Sequence, residues 1–203
     1  RELTMSTACT IQQNQPHHRS LAPALVEITE TEFGVKLELV YATRNNLTNE
    51  RIYQDAVCAI HRDVAPLVKK AAEHAQRAGY TLLIYDGYRP PAAQAKLWQA
   101  LPDPMYIVPP EIGSNHSRGT AIDVTLIDNQ SGQVLDMGTG FDDMSHRSHH
   151  DVAELSLEVQ RNRLILLAIM LHAGFKEIES EWWHYELPDA SSYPLIECDF
   201  IRV

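Results

Sequence analysis

The order of apolar and polar positions along the chain predicts both strands and helices. Residues 35–42 alternate between apolar and polar side chains, and residues 80–86 form a short apolar run; both patterns are typical of strands. A third strand is predicted at 119–127, where apolar and β-branched residues surround one carboxylate. The aromatic segment 181–187 predicts a fourth strand.

Helices are predicted between these strands from composition and from residues that favour helix ends. One helix begins at Asp63, a candidate N-cap, and ends at Gly79, a candidate C′ glycine. Residues 92–101 have helical composition, and a long helix is predicted at 157–173, before Gly174. Strands and helices occur in mixed order without regular alternation, so we expect an α+β fold with a small, mainly antiparallel sheet flanked by helices.

The length and composition indicate one domain with its own core. The chain has 203 residues and is 44% hydrophobic, and we expect a polar N-terminal arm at 1–22 followed by a single domain at 23–203. The formal net charge is −10 and no block is rich in Lys or Arg, which argues against nucleic acids and anionic membranes as partners. No apolar run is long enough to span a membrane. A small zwitterionic substrate is compatible with this charge.

Cysteines and the first residue leave the compartment open. The three cysteines are too few and too scattered for a disulfide framework or a thiolate metal site. Cys58 lies in an apolar run and is expected in the core, whereas a Cys9–Cys198 bridge is compatible only with an oxidising compartment. The chain begins with Arg1 rather than Met, so a periplasmic form with a removed signal peptide and a cytoplasmic form are both compatible.

Two segments carry candidate metal ligands. His116 precedes the predicted strand 119–127 and Asp123 lies within it, where a charge is costly unless it is paired or binds a metal. An ordinary loop histidine and a carboxylate at the sheet edge are the alternative. Glu181 and His184 offer a further ligand and a carboxylate, although a regular strand would point them to opposite faces. If both reach one site, the backbone must bulge or turn between them.

A third segment, Tyr-Asp-Gly-Tyr-Arg-Pro at 85–90, ends an apolar strand with a rigid turn. An arginine fixed by that turn, Arg89, is suited to stabilise a developing oxyanion. A structural ion pair of Arg89 with Asp86 or another acidic residue is the alternative interpretation of the same segment.

Together these segments resemble the D-alanyl-D-alanine dipeptidases of the vancomycin-resistance type, within the zinc peptidases related to D-alanyl-D-alanine carboxypeptidases. The pattern SxHxxGxAxD begins at Ser114, and ExWH begins at Glu181; both patterns are shared by the broader group. The segments at 85–90 and 137–145, with Arg-Ser-His-His at 147–150, are more specific to the dipeptidases. The resemblance extends from about residue 25 to residue 194.

The resemblance implies a role for each matching residue. It implies one catalytic zinc ion, with Glu181 as general base and Arg89 as transition-state stabiliser. It also suggests that Asp142 meets the substrate ammonium and that Ser114 and Tyr41 line a dipeptide pocket. The implied zinc ligands are His116, Asp123 and His184.

The implied activity is hydrolysis of the small dipeptide D-Ala-D-Ala to two D-alanines, in bacterial cell-wall metabolism or glycopeptide resistance. A carboxypeptidase or endopeptidase for longer peptidoglycan peptides is one alternative, and a non-catalytic zinc-stabilised peptide-binding module is another. Because a binding module needs neither a base nor an oxyanion partner, Glu181 and Arg89 argue against it. His146, His149 and His150 are interpreted as loop structure rather than as a second metal site.

Overall fold

The fold is described from a computed structural model that covers residues 20–21, 24–198 and 200–203. The strands are β1 Ser20–Leu21, β2 Leu25–Ile28, β3 Lys36–Leu37, β4 Cys58–His61, β5 Tyr80–Asp86, β6 Ala121–Asp128, β7 Lys176–Ile178 and β8 Glu181–Glu186. The α-helices are α1 Glu30–Phe33, α2 Ala65–Arg77, α3 Pro91–Ala100 and α4 Leu157–Ala173. Short 3₁₀ turns at 40–42, 116–118, 146–148 and 190–192 complete the regular structure of the described residues.

The centre of the fold is a five-stranded sheet in the order β3-β5-β6-β8-β7. Its pairings are antiparallel except for the short parallel pair β3–β5. A three-stranded antiparallel sheet, β1-β2-β4, lies beside it. Strands and helices therefore form a mixed fold with mainly antiparallel sheets, which confirms the expected α+β class.

The main core lies between the large sheet and helices α2 and α4. Leu82, Ile84, Val124 and Leu126 of the two central strands are fully buried there. Burial of such side chains contributes about 1.5–3 kcal/mol each to folding. Strands β5 and β6 are buried along most of their length, which gives the site a rigid base.

The predicted span of helix α4 agrees with the structure, whereas the predicted N-cap of helix α2 does not. Helix α4 spans the predicted residues; Ser156 caps its start by accepting from the Val159 amide, and Gly174 ends it at a φ of 114°. Helix α2 begins after Val64 and has no side-chain N-cap, so the assignment of Asp63 as the cap was wrong. The Asp63 carboxylate accepts a hydrogen bond from the Tyr193 hydroxyl instead.

The predicted strand at 35–42 is mostly wrong. Only Lys36–Leu37 pair with the sheet, and the chain then turns into the 3₁₀ segment 40–42. This turn buries Tyr41, whose carbonyl accepts hydrogen bonds from the amides of Ile52 and Tyr53. Strands β1, β2, β4 and β7 were not predicted, because two to four residues carry too little periodicity.

Three further expectations concern the cysteines, the N-terminal arm and membrane-spanning segments. Cys58 is buried in the core as expected, and burial raises the pKa of its thiol. Residues 1–19 of the predicted arm, including Cys9, lie outside the described residues, whereas Ser20 and Leu21 pair with β2. Within the described ranges, no helix is long and apolar enough to cross a membrane.

Candidate active site

Three predicted metal ligands meet at the centre of the large sheet. His116 Nε2 lies 3.3 Å from Asp123 Oδ1, and His184 Nδ1 lies 3.2 Å from the same oxygen. The two imidazole nitrogens are 3.1 Å apart. All three side chains are buried, so these atoms form a compact triangle within the protein.

Strand pairing and one tight turn bring the three residues together. Asp123 on β6 is the direct cross-strand partner of His184 on β8. His116 reaches the same point from the 3₁₀ turn 116–118, which ends at Gly119 with a φ of 69°. A Cβ on Gly119 would lie 2.9 Å from the backbone nitrogen of His61, so this close turn requires glycine.

Hydrogen bonds on the far side of each histidine fix the ring nitrogen that faces the triangle. His116 Nδ1 lies 2.8 Å from the Gly87 carbonyl oxygen. Because a carbonyl oxygen can only accept a hydrogen bond, Nδ1 carries the proton, and the lone pair of Nε2 faces the triangle and can coordinate a metal. His184 Nε2 lies 3.0 Å from Glu186 Oε2, which turns His184 Nδ1 inward. Partners of this kind orient the histidine ligands of metal sites.

Glu186 is itself held by neighbouring donors. The Asn115 amide donates to Oε2 at 2.8 Å, and the Lys176 ammonium lies 3.0 Å from Oε1. Burial alone would raise the pKa of Glu186, but its hydrogen bonds with His184, Asn115 and Lys176 lower that pKa to about 2. Glu186 is therefore a carboxylate at neutral pH. Sequence analysis did not identify it, although its position two residues after His184 places it on the same strand face.

The donor set of the triangle fits a metal ion. A tetrahedral zinc ion about 2.0–2.1 Å from each donor separates the donors by roughly 3.3 Å, close to the distances between these three atoms. Among the described residues, Asp123 Oδ1 is a buried oxygen without a hydrogen-bond partner of good geometry. Two imidazoles and a carboxylate leave a fourth position for water or substrate, as in catalytic metal sites.

The charges around the triangle are consistent with an anionic aspartate. Burial opposes ionisation of Asp123, which is 2% exposed, but His116 and His184 lower its pKa below the usual range. Burial also opposes protonation of His184, but the close Asp123 carboxylate and the hydrogen bond with Glu186 raise its pKa to about 10. The pocket therefore attracts positive charge at this point.

Glu181 lies beside the triangle because strand β8 is irregular. The register between β7 and β8 shifts, so that Glu177 pairs with Tyr185 while the adjacent Ile178 pairs with Glu181. This confirms the predicted departure from a regular strand between Glu181 and His184, and Glu181 Oε2 lies 3.9 Å from His184 Nδ1. Burial raises the pKa of Glu181 to about 8, so its carboxylate is a stronger base than an exposed one.

Arg89 is locked beside the triangle by three side chains. Its Nε donates to Asp86 Oδ2 at 2.9 Å, its Nη1 to Gln94 Oε1 at 3.0 Å and its Nη2 to Asp123 Oδ2 at 3.4 Å. The guanidinium also lies 5.0 Å from the ring centre of Tyr41. Arg89 thus forms the predicted pair with Asp86 and still borders the cavity, so the two interpretations of this segment are compatible.

The predicted substrate-binding residues border the same cavity. The Tyr41 hydroxyl donates to Asp142, with distances of 3.0 and 2.8 Å to the two carboxylate oxygens. Asp142 has a φ of 61°, and burial raises its pKa to about 7. Ser114 is buried, and its hydroxyl accepts from the His116 amide at 3.2 Å.

One cavity of about 220 Å³ is lined by all eight predicted site residues. Trp183 lines it as well, whereas Trp182 is buried and donates its Nε1 hydrogen to Thr139. Phe141 packs between Tyr85 and Trp183. The cavity is smaller than the roughly 300–1,000 Å³ of sites for drug-sized ligands, so it suits a small molecule.

Comparison with known proteins then decides the family. The family model described as D-ala-D-ala dipeptidase, of the M15 peptidases, matches residues 22–202. This chain belongs to that family. It is 51% identical to the D-alanyl-D-alanine dipeptidase of Escherichia coli (strain K12), over 87% of this chain and 91% of the relative.

More distant bacterial relatives carry the same description. Identity is 35% to the D-alanyl-D-alanine dipeptidase of Enterococcus faecium, over 85% of this chain and 95% of the relative. Identity is 31% to that of Streptomyces coelicolor, over 80% of this chain and 90% of the relative. The chain is thus an enzyme of a metallopeptidase family, and the buried His-Asp-His triangle is its candidate metal site.

Proposed function

We propose that this protein hydrolyses D-Ala-D-Ala to two D-alanines, with one zinc ion held by His116, Asp123 and His184. The main support for the proposal is the set of side chains that line one cavity of about 220 Å³. It combines a buried metal-ligand triangle with a base, a fixed cation and a carboxylate. Those are the groups that cleavage of a short zwitterionic peptide requires.

Glu181 supplies the base. Zinc bound in the triangle would lower the pKa of a coordinated water and polarise the substrate carbonyl. The Glu181 carboxylate, whose Oε2 lies 3.9 Å from His184 Nδ1, would accept the proton of the attacking water. The same carboxyl group then returns the proton to the leaving amine, so that the two products depart as intact amino acids.

Arg89 supplies a fixed positive charge where the carbonyl oxygen becomes negative. Its guanidinium is held on three sides by Asp86, Gln94 and Asp123, so little reorganisation is needed as charge develops. The guanidinium is permanently protonated and therefore acts as an electrostatic partner rather than as a proton donor.

Asp142 supplies the recognition of the free amino terminus. Its carboxylate borders the cavity and is oriented by Tyr41, which approaches both oxygens. A carboxylate in this position favours a free ammonium and disfavours a blocked amide, because the amide leaves the buried charge unpaired. This supports a dipeptidase over the carboxypeptidase and endopeptidase alternatives, whose substrates carry peptide on that side.

The proposal is tested with three substrates. The purified protein, loaded with one equivalent of zinc, is assayed on D-Ala-D-Ala, N-acetyl-D-Ala-D-Ala and L-Ala-L-Ala. We expect hydrolysis of the first and a strongly reduced kcat/KM for the acetylated peptide. Comparable rates on the free and acetylated peptides would contradict the dipeptidase assignment, and the third substrate measures the preference for D-residues.

A further inference from the structure

A second group of potential metal ligands lies outside the active-site triangle. His146, His149 and Asp151 each offer one ligand atom, and these atoms lie within 4.8 Å of one another. The two imidazole rings have centres 4.8 Å apart. We call these three residues the rim cluster. The sequence favoured loop structure for this segment, and only the folded chain brings the Asp151 carboxylate to the two rings.

The backbone of the rim cluster is held by a buried arginine. Arg163 of helix α4 is 4% exposed, and its guanidinium donates to the carbonyls of Met137, Arg147 and His149 at 2.7–2.8 Å. The Ser148 hydroxyl donates to the Asp143 carbonyl, and the His150 amide donates to the Glu179 carbonyl. The turn that carries both histidines is therefore fixed, which lowers the entropic cost of placing the ligands around an ion.

The rim cluster lies next to the substrate cavity but is separate from it. His149 Nε2 lies 3.3 Å from the hydroxyl oxygen of Tyr106, and Tyr106 lines the cavity. None of the three cluster residues lines the cavity itself. The cluster side chains are exposed or half-buried, so an ion bound there would exchange with solvent.

We propose that the rim cluster binds a second, exchangeable divalent transition-metal ion of the zinc, copper and nickel class. Imidazole nitrogens favour these ions, whereas calcium and magnesium prefer sites built from oxygens alone. Three protein ligands leave further positions for water, which is consistent with a readily exchanging surface site. The proposal does not depend on the proposed dipeptidase activity.

The experiment measures zinc stoichiometry at saturation. The full chain is dialysed to equilibrium against Zn²⁺ in a non-coordinating buffer, and protein-bound zinc is quantified by elemental analysis. The test variants are His146→Ala and Asp151→Asn, both at exposed positions. His172→Ala removes an exposed histidine of α4 as a matched control, and His17→Ala/His18→Ala removes the histidine pair near the N-terminus. Thermal unfolding verifies that each variant is folded.

We expect each rim-cluster variant to lose one equivalent of zinc relative to the unmodified protein. The His172→Ala control should keep the full number, and the loss on His146→Ala should persist when His17 and His18 are also replaced. The proposal is overturned if both rim-cluster variants bind as much zinc as the unmodified protein, or if His172→Ala loses the same equivalent. All these proteins keep the active-site triangle, so the result is independent of whether the dipeptidase proposal holds.

Discussion

Asp123 and His184 face each other across strands β6 and β8, with 3.2 Å between Asp123 Oδ1 and His184 Nδ1. The register of one strand pair therefore sets the distance between two of the three candidate metal ligands. A slip by one residue would turn every side chain of the strand to its other face and remove the site. The buried strands β5 and β6 make such a slip costly, so the core of the fold also preserves the geometry of the active site.

Glu181→Gln tests the general base. The amide keeps the size of the side chain but cannot take a proton, so we expect kcat to fall by about 10²- to 10⁴-fold. Zinc content should be unchanged, because Glu181 is not one of the three ligands in the triangle. Steady-state kinetics and elemental analysis on the same sample measure both quantities. A variant with normal kcat would rule out Glu181 as the base.

Glu186→Gln tests the residue that orients His184. Loss of the carboxylate weakens the hydrogen bond to His184 Nε2, and we expect zinc affinity to fall by about 10- to 100-fold. Competition with a chelator of known affinity measures the change. Glu177→Gln is the matched control, because it removes an exposed carboxylate from the neighbouring strand β7. Equal zinc affinities in the two variants would show that Glu186 does not support the ligand.

Arg89→Lys separates positive charge from guanidinium geometry. Lysine keeps the charge but cannot donate to Asp86, Gln94 and Asp123 at once, so the charge is no longer fixed beside the substrate. We expect kcat to fall by about 10²- to 10³-fold, with a smaller change in KM. The exposed Arg202→Lys is the control, and its kinetics should match the unmodified protein. A change confined to KM would instead indicate a role in ground-state binding.

Asp142 predicts a pH dependence of substrate binding. Burial raises its pKa to about 7, although Arg89 and Tyr41 act in the opposite direction. The carboxylate that pairs with the substrate ammonium is therefore depleted below that pH and present above it. We expect KM for D-Ala-D-Ala to fall by roughly 25-fold between pH 5.5 and 7.5, in proportion to the rise in the ionised fraction of Asp142, while the substrate amine stays mostly protonated.

The control for this dependence is Asp142→Asn, which has no charge to titrate. Its KM should be higher at pH 7.5 and nearly constant over the same range, so the ratio of the two KM values grows with pH. A ratio that stays constant would show that another group causes the pH dependence of the unmodified protein.

Two kinds of feature could be predicted from the sequence. One depends on the composition of many consecutive residues, and the other is a residue that is energetically unfavourable at its position unless it has a specific partner. Helix α4 spans the predicted residues 157–173, and Gly174, which ends it, was recognisable in the sequence. Asp123 stood out because a charge inside an apolar strand requires a partner. The bend between Glu181 and His184 followed from the period of a strand, since both side chains could not otherwise face one site.

Other features depend on contacts between distant segments and could not be predicted locally. The alternation at 35–42 indicated a strand, but Tyr41 turns inward because its carbonyl and hydroxyl bind residues far along the chain. Gln94 lies only five residues from Arg89, but its side chain is held for that hydrogen bond by the Val108 carbonyl, which accepts from Gln94 Nε2 and carries no local signal in the sequence. The segment that carries His146, His149 and Asp151 is likewise held by Arg163 of helix α4, which donates to the carbonyls of Arg147 and His149.

The proposed activity requires that one zinc ion in the triangle supports cleavage of D-Ala-D-Ala. The most direct measurement is a titration of the metal-free protein with Zn²⁺ while hydrolysis of the dipeptide is followed. We expect negligible activity without metal, a linear rise on addition of zinc and a maximum at one equivalent. Full activity in the chelated protein, or no activity with zinc in a correctly folded sample, would contradict it.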